Sequence, residues 1–294
     1  MNNRLKAQSV LEHAKRASQK EEEFRKGGFH FVSSSGHILE SLCRHEEGEG
    51  EKAGCSKCRY ETELSLPELP EMVFPHNWLK ISFANFPNSS IVFNALDALR
   101  CVDATTLPEI QVAPSAEWQE GSKLLENIRK KTDKNFDWTF TTHYKGTLNH
   151  CRAIESTDKI DISVLMRQDE ISFYTNVTLF EDELADHGIS EMSVKIRVMP
   201  TYFFVLARSY LRVDGVFIRV CDTRLFGEDN KWSVIREWSR REAKFEDLSH
   251  LVTIQYGPEG IPADKKRVFK ASLICAGISI LGIIDFLNVE FPPV

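Results

Sequence analysis

Apolar residues recur with a period of two along most of the chain, the spacing of strands that bury one face. Leu79, Ile81 and Phe83 alternate first, followed by SIVFN at 90–94, by Trp138, Phe140, Thr142 and Tyr144, and by the run 173–180. The alternation is clearest in SVKIRV (193–198) and in YFFVLARSYLRVDGVFIRVCDTRLF (202–226), with WSVIREWSRREA (232–243) as the next strand. Helical spacing is confined to 94–102, to 115–131 with Ser115 as its N-cap, and to 160–168. Many strands with few intervening helices predict an α+β fold that is β-rich, with a mainly antiparallel sheet, a central hairpin and a few flanking helices.

Asp214-Gly215 sits between two β-rich runs and supplies the positive φ that a two-residue hairpin turn demands. Such a turn pairs Val213 with Val216, Arg212 with Phe217, Leu211 with Ile218 and Tyr210 with Arg219. Val205, Ala207, Ser209, Leu211, Val213, Val216, Ile218 and Val220 then share a core face, and Asp222, opposite Ala207, falls toward its end. Arg208, Tyr210, Arg212, Phe217 and Arg219 share the other face, joined by Lys195 and Arg197 when Val194, Ile196 and Val198 are buried. This basic, aromatic face suits a carboxylate-bearing peptide, because the guanidinium fork binds carboxylate through two bonds. Internal pairing or a solvated face is the favoured reading of the residues alone, since the chain holds 43 acidic residues. Ile196, Val198, Leu211, Ile218 and Trp232 are the expected core residues.

Composition divides the chain into three parts. Residues 1–63 read as a mostly flexible N-terminal extension: 5–26 is charged with almost no apolar stripe, 44–58 is rich in Gly and Glu, and only GGFHF has strand character that returns to the domain. The ordered domain is expected over 64–250 and a divergent apolar tail over 251–294. Thirty-seven Lys and Arg against 43 Asp and Glu give a formal charge of -6, so phosphate backbones repel the molecule and nucleic acid is not an expected partner. Seven cysteines, an odd number, and an N-terminus without a signal-type apolar stretch predict reduced thiols and a cytoplasmic location.

Candidate chemistry is sparse. FEDELADHG (180–188) places Glu183 and His187, and Asp182 and Asp186, four residues apart, which on a helical turn sets metal ligands side by side; a metal-dependent hydrolase is the alternative that this turn supports. A solvated acidic turn is the simpler reading, because no second His or Cys stands at ligand spacing. Cys55-Ser-Lys-Cys58 has the spacing of half a zinc site, with Cys43 and His45 as the nearby candidates to complete it, and incidental cysteines are the favoured reading. No nucleophile elbow, phosphate-cradling loop or dinucleotide fingerprint occurs, so neither catalysis nor a cofactor is expected. The apolar run 271–287, preceded by Lys265, Lys266, Arg267 and Lys270, supports a membrane-tethered adaptor as a further alternative, but Asp285 interrupts it and its clean part is shorter than the roughly 20 residues a bilayer span needs.

Six blocks carry a family resemblance: LPELPEMVF (66–74), FNALDALRCV (93–102), EWQE (117–120), DWTFTTHYKGTL (137–148), LFEDELADHGISEMSVKIRVMP (179–200) and LRVDGVFIRVCDTRLF (211–226). In this order and spacing they resemble the Tip-forty-one-like family of TOR signalling pathway regulators, over about 66–248. The resemblance implies a β-rich, non-catalytic regulator of TOR-dependent signalling that binds the catalytic subunit of type 2A protein phosphatases, and those of types 4 and 6, through a groove for the phosphatase's C-terminal tail. Its phosphatase-binding positions fall on Asp97, Ile160, Val220 and Asp222 here, with Val220 standing where methionine is the expected residue. Together with the basic face, the expected partner-binding set is Asp97, Ile160, Lys195, Arg197, Arg208, Arg212, Arg219, Val220 and Asp222.

Overall fold

The structure is a computed structural model of the chain, and it describes residues 19–40, 55–64, 66–102, 139–248 and 284–290. Two antiparallel sheets account for most of them. The smaller joins β1 (Lys20–Lys26), β2 (Phe29–Ser35), β4 (Trp78–Phe83), β5 (Phe86–Asn94) and β6 (Thr147–Asn149) in the order β1-β2-β4-β5-β6. The larger joins β3 (Met72–Val73), β7 (Arg152–Glu155), β8 (Phe173–Asp182), β9 (Gly188–Val198), β10 (Tyr202–Val213), β11 (Phe217–Glu228), β12 (Ser233–Lys244) and β13 (Ile284–Glu290) in the order β3-β8-β9-β10-β11-β12-β13-β7. Short helices α1 (Ser56–Glu63), α2 (Ala95–Arg100), α3 (Ile162–Leu165) and α4 (Phe245–Leu248) flank them. The α+β, β-rich, antiparallel expectation holds.

The sheets face each other across one core, as period-two patterning requires when each strand has a single apolar face. On the small sheet, Phe29 pairs with Phe83, Phe31 with Ile81, Leu79 with Phe93 and Ile81 with Ile91, so these side chains line one surface. They meet Val194, Ile196, Val198, Phe203, Val205 and Leu225 of the large sheet. The Phe203 ring stands edge-on to Phe29 and Phe31, with centroids 4.9 and 5.1 Å apart. Beyond the small sheet, the irregular segment 139–146 covers the same face of the large one. Ser190 Oγ donates to the Thr139 carbonyl (2.7 Å) and Thr223 Oγ1 to that of Tyr144 (3.2 Å), while Lys145 Nζ lies 4.5 Å from the Trp238 ring centre.

Several expectations are corrected. Within 1–63, GGFHF returns to the domain as expected, as β2, and the charged segment before it adds β1, so the two form a hairpin built into the small sheet with Phe29 and Phe31 fully buried. Their pattern is short and its polar side is serine-rich, so the local signal is faint; the apolar partner lies on β4, some fifty residues away. In the expected loop 44–58, Cys55 caps α1, which buries Cys58 and Tyr60; both thiols are reduced. Residues 284–290 of the expected tail pair with β12 and β7. Residues 1–18, 41–54, 251–283 and 291–294, and the expected helix 115–131, lie outside the described residues. The alternation at 140–144 makes only an isolated bridge, Thr142 to Val102, rather than a strand. Trp232, expected in the core, is 61% exposed, because it precedes β12 instead of opening it.

The hairpin register is the correction with the widest effect. Its loop holds three residues, 214–216, closed by Val216 N donating to the Val213 carbonyl (3.0 Å), with Gly215 at φ +72 where a type II turn needs positive φ. Val213 therefore pairs with Phe217, Arg212 with Ile218, Tyr210 with Val220 and Arg208 with Asp222. A slip of one residue turns every β11 side chain to the opposite face from the one the two-residue turn predicts. Leu211 and Val213 remain on the inner face as expected; Ile218 and Val220 are buried on the outer face, and Val216 is exposed in the loop.

Candidate functional site

The new register dissolves the uniform cationic face and replaces it with an ion-paired one. Arg208 stands opposite Asp222 on neighbouring strands and grips it with two bonds, Nε to Oδ1 at 2.7 Å and Nη2 to Oδ2 at 2.8 Å. Arg241 of β12 adds Nη2 to Oδ2 at 3.0 Å, and Arg224 approaches the same oxygen at 3.7 Å and Glu237 at 4.0 Å. The Asp222 side chain is fully buried at the centre of this ladder. Burial pushes its carboxyl upward, but the Arg208 hydrogen bonds and charge, with Arg224 and Arg241, outweigh that and hold it below the ordinary range. The Arg208 guanidinium is correspondingly raised: burial lowers it and Asp222 overcomes that loss.

Two apolar clusters flank the ladder. Toward the β10–β11 turn, Ile189, Tyr210, Ile218 and Val220 pack together against Phe245 of α4. Burial in this cluster pushes the Tyr210 hydroxyl up to about 12. Toward the other end, Ile160, Met199, Tyr202 and Phe226 pack with Val164 and Leu165 of α3. Ile160 is tied to the ladder, because its N–H donates to Glu237 Oε1 (2.8 Å). Sequence reasoning missed Arg224, Glu237 and Arg241. Their signal was present: the same alternation, continued across β11 and β12, puts all three beside Asp222 once the register is right.

Of the nine expected site residues, Ile160, Arg208, Arg212, Val220 and Asp222 are brought to the outer face of the large sheet, and Lys195 and Arg197 of β9 are exposed on that face. Arg212 belongs with this face by register, with Nε 2.6 Å from Asp214 Oδ1. Arg219 is the exception among the arginines. It shares the inner face with Leu211, where Nε donates to Glu242 Oε2 (2.9 Å) and Nη1 to Thr141 Oγ1 (3.4 Å). Burial raises Glu242, but hydrogen bonds from Arg240 and Arg219 and their charges prevail and leave it lowered. Arg219 therefore cannot serve the outer surface.

Asp97 stands apart on α2, the helix that the 94–102 pattern predicts. Asn94 is its N-cap: Oδ1 accepts from Asp97 N (2.8 Å), while Asn94 Nδ2 and Thr147 Oγ1 donate to Asp97 Oδ2 (2.8 and 2.6 Å) and Arg100 Nη1 to Oδ1 (2.8 Å). Burial raises the carboxyl, yet the Thr147 and Asn94 bonds and Arg100 bring it below its usual value. Asp97 thus completes a cap and links α2 to β6. Replacing it with Ala is expected to lower stability by about 1 kcal/mol, read as a shifted urea midpoint at unchanged slope.

The acidic turn does not have the geometry of a ligand set. Leu184, Ala185 and Asp186 all take positive φ (53, 52 and 68), so 183–187 is a tight left-handed connection between β8 and β9 rather than a right-handed helical turn. Asp182 is buried, accepting from Leu184 N (2.7 Å) and Glu71 N (3.0 Å), which fixes the turn and holds the chain leading into β3. Among the described residues, no group of three or more His, Cys, Asp or Glu converges in a way that could hold a metal ion, and no helix is long and apolar enough to cross a membrane.

The outer face of the large sheet thus sets paired charges between two apolar clusters. Comparison with known proteins agrees with the six sequence blocks. The sequence profile of the TIP41-like family matches residues 72–249, and the chain belongs to that family. It is 48% identical to a TIP41-like protein of Caenorhabditis elegans over 251 residues, covering 85% of this chain and 88% of that protein. It is 47% identical to the Homo sapiens TIP41-like protein over 193 residues, covering 64% and 70% respectively. A Saccharomyces cerevisiae relative, named type 2A phosphatase activator TIP41, is 38% identical over 218 residues, covering 68% of this chain and 61% of that one.

Proposed function

We propose that this protein is a non-catalytic regulator that binds the catalytic subunit of type 2A-class serine/threonine phosphatases through the outer face of its large sheet. The observation that carries the reading is the convergence of Ile160, Val220 and Asp222, which the family resemblance marks for phosphatase binding, on that single face around the Arg208–Asp222–Arg241 ladder. The name of the yeast relative supports the partner class. Catalytic subunits of types 4 and 6 and a place in TOR signalling extend the proposal on the family resemblance, and a cytoplasmic location extends it on the odd cysteine count.

Within this reading Asp222 acts by positioning, since it is buried and saturated with arginine contacts. It holds Arg208, Arg224 and Arg241 at fixed spacing, and the partner meets the partly exposed edges of the last two. The proposal is tested by capture from lysate on the immobilised full chain: recovery of type 2A, 4 or 6 catalytic subunits above an unrelated acidic control is expected. Recovery of none of the three above control level rejects it.

A further inference from the structure

Eight large hydrophobic side chains are exposed among the described residues, and four of them, Ile162, Met166, Ile171 and Tyr174, fall within 162–174. Met166 (77%) and Ile162 (64%) are the two most exposed of all. They lie one turn apart, with Met166 N donating to the Ile162 carbonyl (3.0 Å), so they share one side of α3. That side is held rigidly. Asp161 caps the helix through Ser163 N (2.8 Å), Val164 and Leu165 pack into the Ile160 cluster, Tyr202 Oη donates to the Val164 carbonyl (3.2 Å), and Arg167 lies over the Tyr202 ring. Ordered apolar surface that the fold leaves uncovered marks a contact for another macromolecule.

Its position selects the occupant. Val164 and Leu165 pack with Ile160, whose own N–H is tied to Glu237 of the charged ladder, so the ridge is continuous with the proposed phosphatase face. Register places six cations (Lys195, Arg197, Arg208, Arg212, Arg224, Arg241) and four carboxylates (Glu191, Asp222, Glu228, Glu237) on the outer face of β9–β12, and with Asp214 of the turn, which pairs with Arg212, cations still outnumber carboxylates there in a chain whose overall charge is -6. A partner suited to this surface presents apolar side chains bordered by acidic ones.

We infer that the Ile162–Met166 ridge of α3 is a contact site for the phosphatase catalytic subunit, separate from the ladder and buried on binding. The inference rests on the phosphatase reading. Its test is titration of purified type 2A catalytic subunit against the full chain, the double variant Ile162→Ser/Met166→Ser, and Val216→Ser as an exposed apolar control at the opposite end of the sheet. The ridge variant is expected to bind at least tenfold more weakly, with a melting temperature equal to wild type and with the Val216 variant unaffected. Wild-type affinity in the ridge variant overturns the ridge while the phosphatase reading stands. Absence of binding by the wild-type chain itself overturns both.

Discussion

Replacing Asp222 with Asn is expected to lower the melting temperature by about 10 °C, although the two side chains have nearly the same shape. The amide cannot balance the three guanidinium groups that now share one carboxylate, and Arg208, largely buried, keeps its charge with no full counterpart. Removing one partner of a buried pair costs about 3 to 5 kcal/mol, and each kcal/mol shifts a domain of this size by roughly 2 to 4 °C. The effect has a definite pH dependence. The folded Asp222 carboxyl is depressed, so its share of stability is complete above the unfolded value of about 3.9 and is lost as pH falls through the lower folded value. Thermal unfolding of both proteins between pH 7 and pH 2.5 should show the gap narrowing only below about pH 4. A gap of under 1 °C at pH 7 would mean that the ladder is solvated and contributes little.

Phe203→Ala is expected to cost about 3 to 5 kcal/mol, because one ring fills the space between the sheets. It touches Phe29 and Phe31 on β2 edge-on and lies over Gly227, its cross-strand partner, where a Cβ would come within 2.2 Å of the ring. Gly227→Ala alone is then expected to cost roughly 1 to 3 kcal/mol through crowding. With the ring gone the added methyl has room, so the double variant should be clearly less destabilised than the sum of the single ones. Urea denaturation of the four proteins measures the coupling. Additive losses would place the ring elsewhere than over Gly227.

Strand existence was legible in this sequence because alternation is a local property: β4, β5 and β8 to β12 all lie where a period of two places them. Facing was legible only where no turn had to be counted. β9 and β10 were oriented correctly from Val194, Ile196, Val205 and Leu211, but β11 depended on whether Val216 belongs to the loop. The sequence DGV satisfies a two-residue and a three-residue connection equally well. What separates them is tertiary: Asp214 N donates to the His187 carbonyl and Phe245 N to the Val216 carbonyl, bonds that draw Val216 out of the ladder. The candidate site inherited that ambiguity. Ile160, Val220 and Asp222 came from family likeness and meet on one face, whereas Arg219 came from the slipped register and lies on the other. The charge of Arg208 marks it as a ligand-facing cation, yet the same shift that brings it opposite Asp222 makes it half of an internal pair.

The β1–β2 hairpin and β13 lie outside the 72–249 segment that the family profile matches, yet the hairpin and β13 lend Phe29, Phe31 and Val289 to the common core. The profile match and the common core therefore end at different points of this chain. A polypeptide cut at the limits of the profile match would keep the ladder and the Ile160 cluster but leave β4 and β12 as bare sheet margins, with N–H and C=O groups unpaired along the six residues of β4 that met β2 and the seven of β12 that met β13. Such margins recruit other strands. The strands outside the profile match thus serve as a selvage, the finished border that keeps β4 and β12 from being extended by other strands.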